Sequence, residues 1–159
     1  MTDQLSNLRD LHSVKLSQGR LRPGLLFRSD DVCTIGPTQA KSLQVQGVTD
    51  VIDLRGHDEL QATGRGLVSE FTQHHHLPLV VSDQSGSYSA LRQSEGVLSA
   101  QQVGQWYFHV AQASTRSIIQ GLGVIAHSIG AVLFHCAAGK DRTGIFAAFL
   151  LSTLGAPHT

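Results

Sequence analysis

The sequence predicts an α/β fold, a central and mostly parallel sheet flanked by helices. Three observations carry that prediction. Short apolar or β-branched runs lie at 25–28 (LLFR), 48–54 (VTDVIDL), 76–81 (HLPLVV) and 131–135 (AVLFH), separated by stretches of helical character. Between the last two runs, Val103, Trp106, Tyr107 and Val110 follow i, i+3, i+4, i+7 spacing. The stretch 145–154 is apolar nearly all round, which suits a helix buried centrally.

In chain order, residues 1–20 are polar and read as an N-terminal arm. The run at 25–28 follows Pro23-Gly24 and reads as the first strand. Pro37 opens a helix to about Gly47, because its fixed φ and missing N–H suit a first turn. The β-branched run at 48–54 is a buried strand. HDELQATGRG, with two glycines, reads as a short helix or a loop. The run at 76–81 is a third strand, at an edge because Pro78 cannot donate to a ladder. The serine-rich 82–95 reads as a loop, equally a plain surface loop or a gate. Helix then covers 101–128 with a kink or break at Ser114-Thr115, and AVLFH is the fourth strand. A final helix runs from Thr143 to Leu154, ended by Gly155 and Pro157.

The chain of 159 residues fits one domain spanning 1–159, long enough to bury a core without a metal or disulfide staple. Net charge is zero and no basic block exists, so composition excludes non-specific nucleic-acid binding. Two cysteines, Cys33 and Cys136, make no disulfide framework, and the N-terminus lacks an apolar signal core, so a cytoplasmic setting is expected. No apolar run is long enough to span a bilayer.

The chemistry concentrates in VLFHCAAGKDRTG, 132–144. A buried strand delivers Cys136 into a short loop, and a helix follows at once. Five residues, Ala137, Ala138, Gly139, Lys140 and Asp141, separate the thiol from Arg142. Such a loop can curl its backbone N–H groups around one anion, with the positive end of the next helix behind it. That field favours the thiolate, the nucleophilic form of cysteine. Arg142 offers a planar fork for two phosphoryl oxygens. Gly139 allows close backbone approach. Lys140 adds a point charge at the rim. The Thr143 hydroxyl is placed to steady the sulfur as it leaves, and His135 can hold the loop or bias the thiol.

HCAAGKDRTG resembles the phosphate-binding loop of the protein tyrosine phosphatase superfamily, whose pattern is His-Cys, five residues, Arg, then Ser or Thr. Its Lys-Asp pair is similar to the bacterial tyrosine/serine, dual-specificity and lipid-phosphatase-like group, and to myotubularin-type phosphoinositide phosphatases. NLRDL (7–11), GRLRPGLLFRS (19–29) and VIDLR (51–55) through Glu59 resemble that group's leading segments. The resemblance implies a cysteine-phosphatase-like fold and hydrolysis of phosphate monoesters through a phosphocysteine. It implies phosphotyrosine as substrate, with phosphoserine, phosphothreonine or a phosphoinositide as further candidates, and no cofactor. Group members usually continue past the helix that follows the loop. The expectation is therefore a C-terminally truncated product, or an apolar flank covered by a second copy in a homo-oligomer.

A general acid must protonate the leaving oxygen. No Asp or Glu occurs from Gly96 to Lys140, where better-known members carry it. Two candidates stay open: Asp141 inside the loop, and Asp83 after the run HLPLVV. Asp53 and Arg55 read as a structural pair, and Asp58 and Glu59 as a solvated helix start. His74, His75 and His76 alternate across a strand, so they do not converge on a metal. Cys33, Trp106 and Tyr107 read as packing residues. A sulfurtransferase or arsenate reductase would also use an anion loop, but the second has only Cys33 as a partner thiol. A phospho-ligand binding module is the non-enzymatic alternative, and it gives no reason to keep both Cys136 and Arg142.

Overall fold

The computed structural model describes residues 5–79 and 99–157. Five strands and five α-helices follow in the order β1 (Arg9–Asp10), β2 (Leu26–Ser29), α1 (Pro37–Val45), β3 (Val48–Asp53), α2 (His57–Thr63), β4 (Gln73–His76), α3 (Ala100–Ala113), α4 (Thr115–His127), β5 (Ala131–His135) and α5 (Asp141–Thr153) among the described residues. Short 3-10 helices occupy Leu11–Ser13, Val32–Thr34 and Leu67–Glu70. The strands form one sheet ordered β1-β2-β5-β3-β4. β1 is antiparallel to β2, and the remaining pairs are parallel.

The last strand in sequence therefore lies at the centre, between β2 and β3. All five residues of β5 are buried, which is why AVLFH carries no alternation of polar and apolar types. Its side chains still alternate in space. Val132, Phe134 and Cys136 face a core built with Val110, Ile118, Ile145, Phe146 and Leu150 of α3, α4 and α5. Ala131 and Leu133 face a second core with Ala40 and Leu43 of α1 and Val68. Phe134 and Phe146 meet edge to face at 5.0 Å, tying β5 to the helix that follows it. Gly121 lets α4 lie against that ring, since a Cβ there would stand 2.5 Å from Phe146.

Central placement brings three carboxyl ends together: β2 at Ser29–Asp31, β5 at Cys136 and β3 at Asp53–Arg55. Ligand sites of open α/β sheets form at such ends. No described helix is long and apolar enough to cross a membrane.

Three expectations differ from the structure. The third strand is Gln73–His76, beginning three residues earlier than the run at 76–81. The extended pairing continues past it, with Leu77 N–H to Asp53 O and Leu79 N–H to Leu54 O, and Pro78 supplies the gap between them. β4 is an edge strand, as Pro78 implied. The final helix starts at Asp141, because Lys140 O already accepts from Gly144 N–H at 2.8 Å. That helix is not buried all round: Phe149 is 45% exposed, one turn on from buried Ile145, and Leu154 just past the helix end is 37% exposed. Near Phe149, α3 and α5 border an apolar recess of about 430 Å³ lined by Tyr107, Phe108, Ile145 and Phe149. The break at Ser114-Thr115 is present, between α3 and α4. The loop expected at 82–95 lies outside the described residues.

Candidate active site

The loop from Cys136 to Arg142 is held from outside by its carbonyls. Asp31 N–H donates to Ala137 O at 3.1 Å and Asn7 Nδ2 donates to Ala138 O at 2.8 Å. Arg28 Nη2 donates to Gly139 O at 2.9 Å and to Lys140 O at 3.4 Å. A trans peptide points its C=O and N–H in opposite directions. The N–H groups of Ala138, Gly139, Lys140 and Asp141 therefore turn away from these anchors, toward the concave side. Gly139 closes the bend at φ 64°, and a Cβ on it would stand 2.5 Å from Ser29 O and Asp30 N. The loop that the sequence reading named is thus a curved segment with its carbonyls bonded outward, and α5 starts at its end.

Cys136 sits at the floor of that cradle, 2% exposed, with its sulfur accepting from the Thr143 hydroxyl at 3.0 Å. His135 points to the opposite face. Its Nδ1 lies 3.3 Å from the backbone carbonyl of Cys136 rather than from the sulfur. Burial lowers its ring below the ordinary imidazole value, with nearby Asp53 and Asp31 pulling the other way.

Arg142 is anchored by a residue that sequence reading placed at a solvated helix start. Glu59 does open α2, where its carboxylate caps the Gly56 N–H at 2.7 Å. The same carboxylate takes a fork from Arg142, Nη1 to Oε2 at 2.5 Å and Nη2 to Oε1 at 2.8 Å. The guanidinium hydrogen bonds hold the Glu59 carboxyl below its usual range. Burial opposes the charge of Arg142, but Glu59 outweighs it and raises the guanidinium further. A guanidinium has five N–H donors, so two spent on Glu59 leave three for an oxyanion. The Gly56-to-Glu59 spacing signals a cap, and nothing in it signals a partner 83 residues away.

Asp141 begins α5 at the rim, and its Oδ1 accepts from the Tyr107 hydroxyl of α3 at 2.6 Å. Lys140 beside it is exposed. Asp83 lies outside the described residues.

Behind the cradle lies a buried polar hub. Asp53 accepts from the Arg55 backbone N–H, from Arg55 Nε and Nη2, and pairs with His74 at 3.2 Å. Arg55 also reaches Asp31 at 2.9 Å and the Cys33 sulfur at 3.1 Å. Burial alone would raise the Asp53 carboxyl, but bonds from His74 and Arg55 hold it far below the carboxylate range. Cys33 is the reverse case, with burial pushing its thiol up to about 12. Asp31, Cys33 and His135, and also Cys33, Asp53 and His74, bring ligand atoms within 4.8 Å of one another. The Arg55 guanidinium bonds to Asp31, Asp53 and Cys33, so this cluster already holds a cation. The three consecutive histidines bond to three different acceptors: His74 to Asp53, His75 to Asp50 and His76 to Arg55 O.

The hub fixes the sign of an acid effect. Asp53 titrates below its unfolded value of about 3.9, so its stabilisation is complete above that pH and is lost toward acid. His135 acts earlier, since its lowered value makes stability fall once the pH drops below about 6.5. Asp53→Asn is expected to cost about 3 kcal/mol at neutral pH and to flatten the acid part of the profile. Urea unfolding across that pH range measures both.

Comparison with known proteins places these features. The sequence profile described as the tyrosine phosphatase family matches residues 1–159. The chain is 30% identical over 174 aligned positions to the triple specificity protein phosphatase PtpB of Mycobacterium tuberculosis, covering 94% of this chain and 61% of that protein. It is 29% identical over 157 positions to a putative tyrosine-protein phosphatase of Cupriavidus necator, covering 96% of this chain and 56% of the relative. A tyrosine-protein phosphatase of Nostoc commune is 49% identical over 53 residues, 33% of this chain and 17% of that one. The chain thus spans about three-fifths of the length of the first two.

Proposed function

This chain belongs to the tyrosine phosphatase family, and from that premise we propose that residues 1–159 act as one phosphatase domain hydrolysing phosphate monoesters through Cys136. The observation that carries the proposal is the cradle. Its carbonyls are bonded outward, its amides face inward, and one sulfur lies at its floor beside Thr143.

In the first step the Cys136 thiolate attacks phosphorus. A P–S bond forms as the P–O bond to the leaving group breaks, and the departing oxygen takes a proton from a carboxylic acid. Asp141 is the acid we favour, because it stands at the rim with its orientation held by Tyr107. Asp83 is the alternative. The inward amides and the three free donors of Arg142 take the charge of the equatorial oxygens. In the second step water attacks phosphorus and gives its proton to the same carboxylate. The S–P bond breaks, and the Thr143 hydroxyl donates to the returning thiolate.

Phosphotyrosine is the first substrate to try. The triple specificity in the name of the M. tuberculosis relative supports a range wider than one substrate class, and the resemblance of the loop makes phosphoserine, phosphothreonine and phosphoinositides the next candidates.

The test is turnover of para-nitrophenyl phosphate in the presence of EDTA. Iodoacetate should abolish it, and inorganic phosphate should protect against the loss. Tight phosphate binding without turnover would overturn the enzyme reading in favour of a binding module. Asp141→Asn and Asp83→Asn then assign the acid. The true acid's variant should lose about a hundredfold or more on an alkyl phosphate and far less on an aryl phosphate, whose leaving group needs no proton. Equal losses on both substrates would reject the residue tested.

A further inference from the structure

Arg28 stands outside the residues that the reaction uses directly, yet its surroundings are unusual. It lies on β2, one strand from β5, and is partly buried. Its Nη2 bonds two consecutive loop carbonyls, Gly139 O and Lys140 O. Its partner across the β1–β2 ladder is Arg9. Like charges directly opposite on a sheet are destabilising. No ion pair joins Arg9 or Arg28 to a carboxylate among the described residues. Burial and Arg9 both press Arg28 toward the neutral form, and only Cys136 acts in the other direction. A sequence that keeps a costly cation against such neighbours has a use for it.

We propose that Arg28 is a positioning residue of the phosphate cradle, holding and polarising from behind the two peptides whose N–H groups, on Lys140 and Asp141, face the bound oxyanion. This rests on the phosphatase reading given above. A cation on the carbonyl side of a peptide strengthens the donor on its other side, because linked hydrogen bonds polarise one another. Lys140 O carries two partners at once, Arg28 and the first helical bond from Gly144. Arg28 therefore also fixes the angle at which α5 meets the loop. Asn7 and Asp31 hold the neighbouring carbonyls with neutral donors. Arg28 alone among these anchors brings a full charge within range of the sulfur.

Arg28→Met and Arg28→Lys test this, the first removing the charge and the second keeping it with a shorter reach. Three quantities are read on each: kcat/KM for para-nitrophenyl phosphate, competitive inhibition by inorganic phosphate, and the ratio of inactivation rates by iodoacetate and iodoacetamide. The ratio reports the anion cradle, since only iodoacetate carries a carboxylate into it. Arg28→Met should lower kcat/KM and weaken phosphate inhibition by about tenfold or more each. The iodoacetate preference should fall with them while the thermal midpoint stays near that of the parent. Arg28→Lys should recover a large part of all three. Unchanged phosphate inhibition and alkylation preference in a folded Arg28→Met would overturn the proposal. So would a lysine variant no better than the methionine one. If the parent chain binds phosphate but turns nothing over, the phosphatase reading fails, while the inhibition arm, read as phosphate affinity, still tests Arg28.

Discussion

Cys136→Ser is expected to lower turnover of para-nitrophenyl phosphate by at least about ten-thousandfold while leaving phosphate binding within a few-fold of the parent. The two halves of that result have separate causes. Serine is nearly isosteric, and the cradle is held by Asn7, Asp31 and Arg28 from outside, none of which touches the sulfur side chain. The oxyanion site therefore survives. The nucleophile does not, because a hydroxyl stays protonated where a thiol can ionise, and no base is bonded to this position. The Thr143 hydroxyl donates to the sulfur, and His135 faces the other side of the strand. Equilibrium binding of phosphate and single-turnover kinetics check both halves. Residual activity above about one per cent would mean that the reaction does not pass through this sulfur.

Arg142→Lys is the second large effect, an expected loss of about a hundredfold to a thousandfold in kcat/KM. Lysine keeps the charge and loses the fork, and with the fork it loses the two-point hold of Glu59. Glu59→Gln alone should cost about tenfold, because Arg142 keeps its donors but not the carboxylate that fixes their plane. In the Arg142→Lys background the same Glu59→Gln change should add little, since the interaction it breaks is already gone. Full additivity of the two losses would show that Glu59 acts by some route other than Arg142. The double-mutant cycle needs only kcat/KM and phosphate inhibition for four proteins.

The strand–loop–helix at the centre of the site was legible in sequence because all its parts are contiguous. A buried apolar run, a cysteine, a glycine, an arginine and an apolar helix read directly as β5, a short loop and α5. What supports it was not legible, because it comes from far along the chain. Glu59 carries an ordinary capping signal, and its bond to Arg142 exists only once β3 and β5 are neighbours. Arg28 sits in a strand whose pattern reports its own burial, not the loop beside it. The β4 shift has a local cause. HLPLVV looks more like a strand than QHHH does, yet each histidine of 74–76 finds an acceptor on β3 or just beyond it, and that outweighs intrinsic preference. An apolar flank was expected at this helix, but a count of apolar residues around a helix does not say which of them, here Phe149, stays exposed.

The sheet also separates the two sulfurs. Cys136 belongs to the core on one side and Cys33 to the core on the other, each enclosed by its own neighbours. Were peroxide to convert Cys136 to a sulfenic acid, Cys33 would stand across the sheet from it, out of place to close a protective crosslink. Protection would then fall to condensation with a backbone nitrogen, a small diffusing reductant or another protein, in competition with progress to the irreversible acids.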